Sequence, residues 1–100
     1  MIRRQPSYQL SVKPGVDAGS LVVSAASKVP PAKPAQRIAR VDVYLNGRPL
    51  RSIDAQDGAV PPTDVPLVGD VTKRTTAEAQ AWDHTGILVA LARTAVLAGR

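Results

Sequence analysis

The sequence predicts an all-β fold, an antiparallel sandwich of about seven short strands, and three observations carry that expectation. Val, Ile and Leu together supply 25 of the 100 residues, Val alone 13, against one Met and no Phe. Branched side chains of this kind pack well on a pleated surface. Nine Pro and seven Gly punctuate the chain, a spacing that interrupts helices and supplies the turns of a sandwich. Finally, residues 75–93 (TTAEAQAWDHTGILVALAR) read as strand, tight polar turn and strand: Ala77, Ala79 and Ala81 alternate with Glu78, Gln80 and Trp82, then come Asp83-His84-Thr85-Gly86 and the apolar run Ile87 to Ala92.

The elements follow in chain order. Residues Met1 to Ser7 form a polar arm, and residues 8–100 one domain. Tyr8 to Val12 alternates, with Tyr8, Leu10 and Val12 on one face, until Lys13-Pro14-Gly15 ends the strand. Ser20 to Ala26 is a second strand with Leu21, Val23 and Ala25 on its inner face. Lys28 to Pro34 holds three prolines and reads as a stiff extended loop, because proline offers no donor to a ladder. Arg37 to Leu45 is the most strand-like segment, with Val41, Val43 and Leu45 inward and Arg40, Asp42 and Tyr44 outward. Asn46-Gly47 then predicts a type I′ hairpin, since both residues accept positive φ. Pro49 to Ile53 returns as a short strand whose proline argues for a sheet edge. Asp54 to Pro66 reads as loop, with a short strand near Val65 to Val68. Val71 to Trp82 is a long strand whose alanine faces predict close approach of the opposing sheet, and Ile87 to Leu97 closes the domain. That last segment also fits a helix, because Leu88, Leu91 and Ala95 share a helical face; strand is favoured because the turn leads straight into a β-branched start.

Composition excludes several chemistries. Without Cys there is no disulfide framework, Cys-based metal site or thiol nucleophile. The one His, His84, sits in a turn, and no G-x-S-x-G elbow surrounds a serine, so no catalytic residue is assigned. Asp54 and Asp57, or Asp64 and Asp70, are paired acids in Pro/Gly-rich loops, where such residues cap turns. Asp54-Ala55-Gln56-Asp57-Gly58 lacks the dense oxygen alternation of a calcium loop. No metal or cofactor is expected, and no enzymatic activity. Arg3 and Arg4 precede no apolar run, so no secretory signal is expected at the start, and no stretch of the sequence is long enough for a membrane-spanning helix.

The net charge of +5 is unevenly placed. Lys28, Lys33, Arg37, Arg40, Arg48 and Arg51 lie within 24 residues that hold a single acid, Asp42. Asp54, Asp57, Asp64 and Asp70 follow with no base among them. Such a stripe reads either as a solvated face or as a dock for an acidic surface. It has no interleaved aromatics for base stacking, which argues against nucleic acid. Trp82, set by alternation on the side opposite Ala77, Ala79 and Ala81, reads either as an exposed anchor for a partner or as a plug over one end of the core.

Two motifs in order resemble a known family. Ile38-Ala39-Arg40-Val41-Asp42-Val43-Tyr44-Leu45-Asn46-Gly47-Arg48-Pro49-Leu50 is similar to the middle of bacterial and phage immunoglobulin-like domains, where an alternating strand leads into a Y-x-N/D-G hairpin. Ala79 to Gly86 resembles their terminal A-x-A-x-D-x-x-G hairpin, about 35 residues on. The resemblance covers roughly residues 8–97 and implies an immunoglobulin-like sandwich. It departs from the pattern in lacking an inter-sheet Cys pair and in placing Ile87 where Asn often follows the terminal Gly. The expected role is a structural or adhesive module, a virion decoration or tail-associated protein that docks on a capsid or tail assembly. The alternative is an accessory domain of a longer secreted or cell-wall protein that binds surface polysaccharide or spaces other domains. The expected localisation is the virion, or the extracellular space or cell surface. The expected contact residues are Trp82, Tyr44, Arg37, Arg40, Arg48 and Arg51, with homo-oligomerisation left open.

Overall fold

The structure is a computed structural model that describes residues 7–15, 19–29, 36–67 and 75–96. Seven strands follow one another: β1 (Ser7–Pro14), β2 (Ser20–Val29), β3 (Ile38–Leu45), β4 (Arg48–Asp54), β5 (Val60–Pro66), β6 (Thr75–Asp83) and β7 (Leu88–Val96). All pairings are antiparallel. The strands form a three-stranded sheet ordered β1-β2-β5 and a four-stranded sheet ordered β4-β3-β6-β7. Their inner faces meet in one apolar core, the arrangement of a β-sandwich.

The core is the direct product of alternation. Val12, Leu21, Val23, Ala25, Val60 and Val65 come from the first sheet; Ile38, Val41, Val43, Ala77, Ala79 and Ala81 come from the second. Every second residue of β6 from Thr75 to Asp83 is buried, and its three alanines expose nothing. Methyl groups leave little depth on that strand, so the opposing sheet closes on it, β1 nearest, while Leu21 and the valines supply the larger side chains of the same core. Burying one such aliphatic side chain stabilises the fold by about 1.5–3 kcal/mol.

Turn chemistry sets the registers. Asn46 and Gly47 have φ of 52° and 82°, and Leu45 pairs with Arg48. That is a two-residue loop with both φ values positive, the type I′ hairpin expected from Asn-Gly. Asp57 and Gly58 repeat the pattern at 54° and 77°, with Gln56 and Ala59 exchanging backbone hydrogen bonds of 2.8 and 3.1 Å. The terminal hairpin has a three-residue loop: Gly86 N–H donates to Asp83 O at 3.2 Å, and Gly86 lies at φ 86°.

The closing segment, which fitted either class, is strand from Leu88 to Val96. Other expectations need correction. The segment read as loop from Asp54 to Pro66 contains β5, whose three prolines are tolerated for two reasons. The strand lies at the edge of its sheet. Val23 pairs with Thr63 while Ala25 pairs with Val60, so a bulge sets Pro61 and Pro62 opposite the single Ser24. β2 runs on to Val29, past the point where proline was expected to end it, and β1 includes Ser7, Lys13 and Pro14. β4, with its Pro49, is at an edge as anticipated. The arm at Met1 to Pro6, residues 30–35, Val68, the start of the strand expected from Val71, and Leu97 to Arg100 lie outside the described residues.

Two substitutions test this packing. Ala79→Leu forces a large side chain between the sheets and should cost about 1–3 kcal/mol, read as a fall in melting temperature. A Cβ added at Gly47 meets no atom within 4 Å, so the cost of Gly47→Val is chiefly backbone strain. That cost should be about 1–2 kcal/mol, a drop on the order of 4–8 °C per kcal/mol for a chain of this size. An unchanged melting temperature for either would contradict the assigned face or turn.

Candidate functional site

The outer face of the four-stranded sheet carries Trp82, Tyr44 and Arg40, and its register explains their neighbours. Trp82 on β6 lies beside Arg40 on β3 and Leu88 on β7. The Arg40 guanidinium stands over the indole at 5.3 Å from the ring centroid and bonds Asp42 through Nε at 3.3 Å to each carboxylate oxygen. Asp42 also accepts from Ser52 Oγ at 2.7 Å. A guanidinium on an indole at a partly exposed site contributes about 0.5–1 kcal/mol. Trp82 is half-buried beneath it, and its Nε1 is enclosed without a hydrogen-bond partner among the described residues. The ring therefore lies along the outer sheet face and does not plug the core.

Further along the same face, Glu78 on β6 accepts from Arg93 Nε at 2.8 Å and from Gln80. These donors, Arg93 first and Gln80 second, hold the Glu78 carboxyl below its ordinary value. Beside these groups on β7, Leu91 stands across from Gln80 and Leu88 across from Trp82. Ile87, Leu88 and Leu91 are the large hydrophobic side chains that remain exposed among the described residues, at 60%, 40% and 46%. Strict alternation would put Leu88 and Leu91 on opposite faces. A bulge, with Trp82 paired to Leu88 but Ala81 to Ala90 and Gln80 to Leu91, brings both outward.

Asp83 occupies the last inward position of β6 and is only 4% exposed. Its Oδ1 accepts from Thr85 N–H at 2.8 Å, Thr85 Oγ at 2.6 Å and Ile87 N–H at 3.0 Å. Burial alone would raise its pKa. The Thr85 hydroxyl and the N–H groups of Ile87, Thr85 and Gly86 outweigh that and hold it below 3.8. Nearby on β1, Tyr8 donates its hydroxyl to Gln36 O at 2.7 Å, and burial, then the Asp83 charge, raises its pKa. The acid of the terminal turn is thus a structural latch on the hairpin that presents Ile87 and Leu88.

The arginines are spread out. Arg40 and Arg48 sit at opposite ends of the β3–β4 ladder, where they pair with Asp54 and Leu45. Arg37, ahead of β3, lies against Gly58. Arg51 and the half-buried Tyr44 line one shallow depression of about 310 Å³, together with Pro49, Leu50, Asp42 and Ser52. A second depression of about 330 Å³, lined by Ser11, Ser24, Ala26, Pro61 and Pro62 among others, lies where the β5 bulge meets β2. The described side chains comprise six cations (Lys13, Arg37, Arg40, Arg48, Arg51, Arg93) and six carboxylates (Asp42, Asp54, Asp57, Asp64, Glu78, Asp83). Their formal charge is zero, and the net +5 belongs to the remaining residues. Among the described residues no three His, Cys, Asp or Glu groups come together to hold a metal. No described helix is long and apolar enough to cross a membrane.

No family model matches the chain, and no curated protein is significantly similar to it.

Alternation alone marked Trp82, Arg40 and Tyr44 as outward. It did not mark Leu88 and Leu91, whose exposure depends on the bulge, nor Asp83 as the buried group. The signal for Asp83 was present in the two-residue period continued from Ala77 through Ala79 and Ala81.

The latch has a pH signature. A native carboxyl that titrates below its unfolded value binds protons less readily than the unfolded chain does. Its stabilisation is therefore complete above the unfolded pKa near 4 and drains away as pH falls through the depressed native value. Denaturant melts from pH 7 to pH 2 should show stability falling in the acid limb. Asp83→Ala should cost about 1–3 kcal/mol at pH 7 and flatten that limb, with Glu78 supplying the remainder. A variant whose acid limb matches the wild type would contradict the latch.

Proposed function

We propose that this chain is a non-catalytic, immunoglobulin-like docking module that attaches to a protein assembly, such as a virion capsid or tail, through the β6–β7 end of its four-stranded sheet. The observation that carries the reading is the exposed trio Ile87, Leu88 and Leu91 beside Trp82, in a chain whose other large aliphatic side chains among the described residues turn inward or lie half-buried. Apolar side chains clustered at one edge of a face with a polar stripe beside them have the composition of a protein contact. The immunoglobulin-like identity is supported by the strand order. In the lettering of that sandwich, β1-β2-β5 corresponds to A-B-E and β4-β3-β6-β7 to C′-C-F-G. The hairpins at Asn46-Gly47 and Asp83 to Gly86 fall where the resemblance places them.

Polar contacts at the rim of such a site set orientation and association rate more than affinity. Arg40 is already engaged by Asp42 and Trp82. Arg48 and Arg51 on edge strand β4, which have no ion-pair partner among the described residues, are the cations that would steer. The competing role, polysaccharide binding, would draw on Tyr44 and Arg51 at their shared depression.

Sedimentation of lysates from the source organism tests the reading. The chain should travel with a high-mass protein assembly and be released by the paired substitution Leu88→Glu and Leu91→Glu. Both sites are exposed, so the fold should lose no more than about 0.5 kcal/mol. Retention of the doubly substituted chain on the assembly would refute this docking face. Binding to cell-wall glycan that is lost with Tyr44→Ala would transfer the role to the other reading.

A further inference from the structure

Asn46 and Gly47 form an exposed loop in which a side-chain amide is followed by a residue with no Cβ. That dipeptide is chemically susceptible. Gly47 N can attack Asn46 Cγ, closing a five-membered succinimide while the side-chain nitrogen leaves as ammonia with the proton from Gly47 N. Water then opens the ring at either carbonyl, giving aspartate or isoaspartate. The balance is one water consumed and one ammonia released, with no change of oxidation state.

We propose that Asn46 is a modification site gated by the fold, unreactive while the β3–β4 hairpin is docked on β6 and deamidated once that contact opens. The gate is a reciprocal pair with Thr76, thirty residues away. Asn46 Oδ1 accepts from Thr76 N–H at 3.0 Å, and Asn46 N–H donates to Thr76 O at 2.8 Å. Side chain and backbone of Asn46 are thereby held by one residue of the neighbouring strand. Ring closure requires Cγ to swing toward Gly47 N, which breaks the Oδ1 bond. The ring also fixes ψ of Asn46 far from the roughly +30° of a type I′ turn, the turn marked by the φ of 52° and 82° at Asn46 and Gly47. Both demands must be met by opening the turn first.

The two products differ in consequence. Aspartate keeps an oxygen acceptor for Thr76 N–H and preserves the loop. Isoaspartate inserts a methylene into the main chain, so a two-residue loop no longer places Leu45 opposite Arg48. A chain that opens this turn for long enough is thus marked irreversibly, and its central hairpin cannot re-form in register.

The test uses the full chain, incubated at mildly alkaline pH with and without guanidinium and followed by peptide mapping and mass spectrometry at residue 46. Conversion should be at least about tenfold slower in the folded chain, the factor that breaking a pair of hydrogen bonds imposes on local opening. Equal rates with and without denaturant would overturn the proposal. Thr76→Pro removes the donor to Oδ1 while leaving a carbonyl at 76, and should raise the folded-state rate. A rate equal to wild type in a folded variant would also overturn it. Should that variant not fold, amide exchange at Thr76 in the wild-type chain decides the same point. Through sub-denaturing guanidinium it should rise in parallel with conversion at Asn46, and divergence of the two would refute the gate.

Discussion

Ala77, Ala79 and Ala81 govern how the two sheets meet. They are the inward residues of β6, the strand that hydrogen-bonds to β3 on one side and β7 on the other, and none of them exposes any surface. A row of methyl groups at that position lets the opposing sheet approach closely, with β1 the strand that comes nearest to β6, and the buried core closes without a single aromatic ring. The usual large core side chain is absent here: the sole Trp is displaced by alternation to the outer face, where Arg40 covers it. The chain thus places its one indole on a surface and closes its interior with small aliphatic groups. Interiors of that kind reach native density only by close approach.

From this constraint the surface chemistry follows. Because 77, 79 and 81 point in, 78, 80 and 82 point out and meet Tyr44, Asp42 and Arg40 of β3 in register. The outer face therefore becomes a set of short cross-strand networks, Arg40 with Asp42 and Ser52, and Glu78 with Arg93 and Gln80. The same period carries Asp83 inward at the strand end, where its carboxylate satisfies the N–H groups of the turn that would otherwise be unpaired. With the turn held, the bulge at Ala81/Trp82 displaces Leu88 outward and creates the apolar cluster on which the docking proposal rests.

Much of this architecture was legible in the residues. Asn46-Gly47 announced its hairpin because few other dipeptides accept two positive φ values, and Val41 with Val43 named the inner face of β3. The proline of β4 correctly indicated an edge. What the residues did not disclose was anything that depended on a change of register. β5 was obscured because Pro61 and Pro62 violate the rule for central ladders, and the bulge at Ser24 that admits them involves a strand about forty residues earlier. Leu88 and Leu91, three apart, are assigned to opposite faces by any rule of strict alternation. Bulges are set by both strands of a pair, so one strand's pattern does not contain them. The basic stripe of residues 28–51 likewise looked continuous along the chain, but the β3–β4 ladder separates Arg40 from Arg48 by nearly its whole length.

Residue-resolved amide exchange by NMR tests the central place of the alanine row most directly. If close packing on β6 holds the sandwich shut, the amides of β6 and β3 should exchange only through global unfolding, with a free energy equal to that from denaturant melts. The edge strands β4 and β5 should open locally at lower cost. Exchange from Ala77, Ala79 and Ala81 as rapid as that from the edge strands would mean that the sheets do not close on β6, and the account built on that contact would fail.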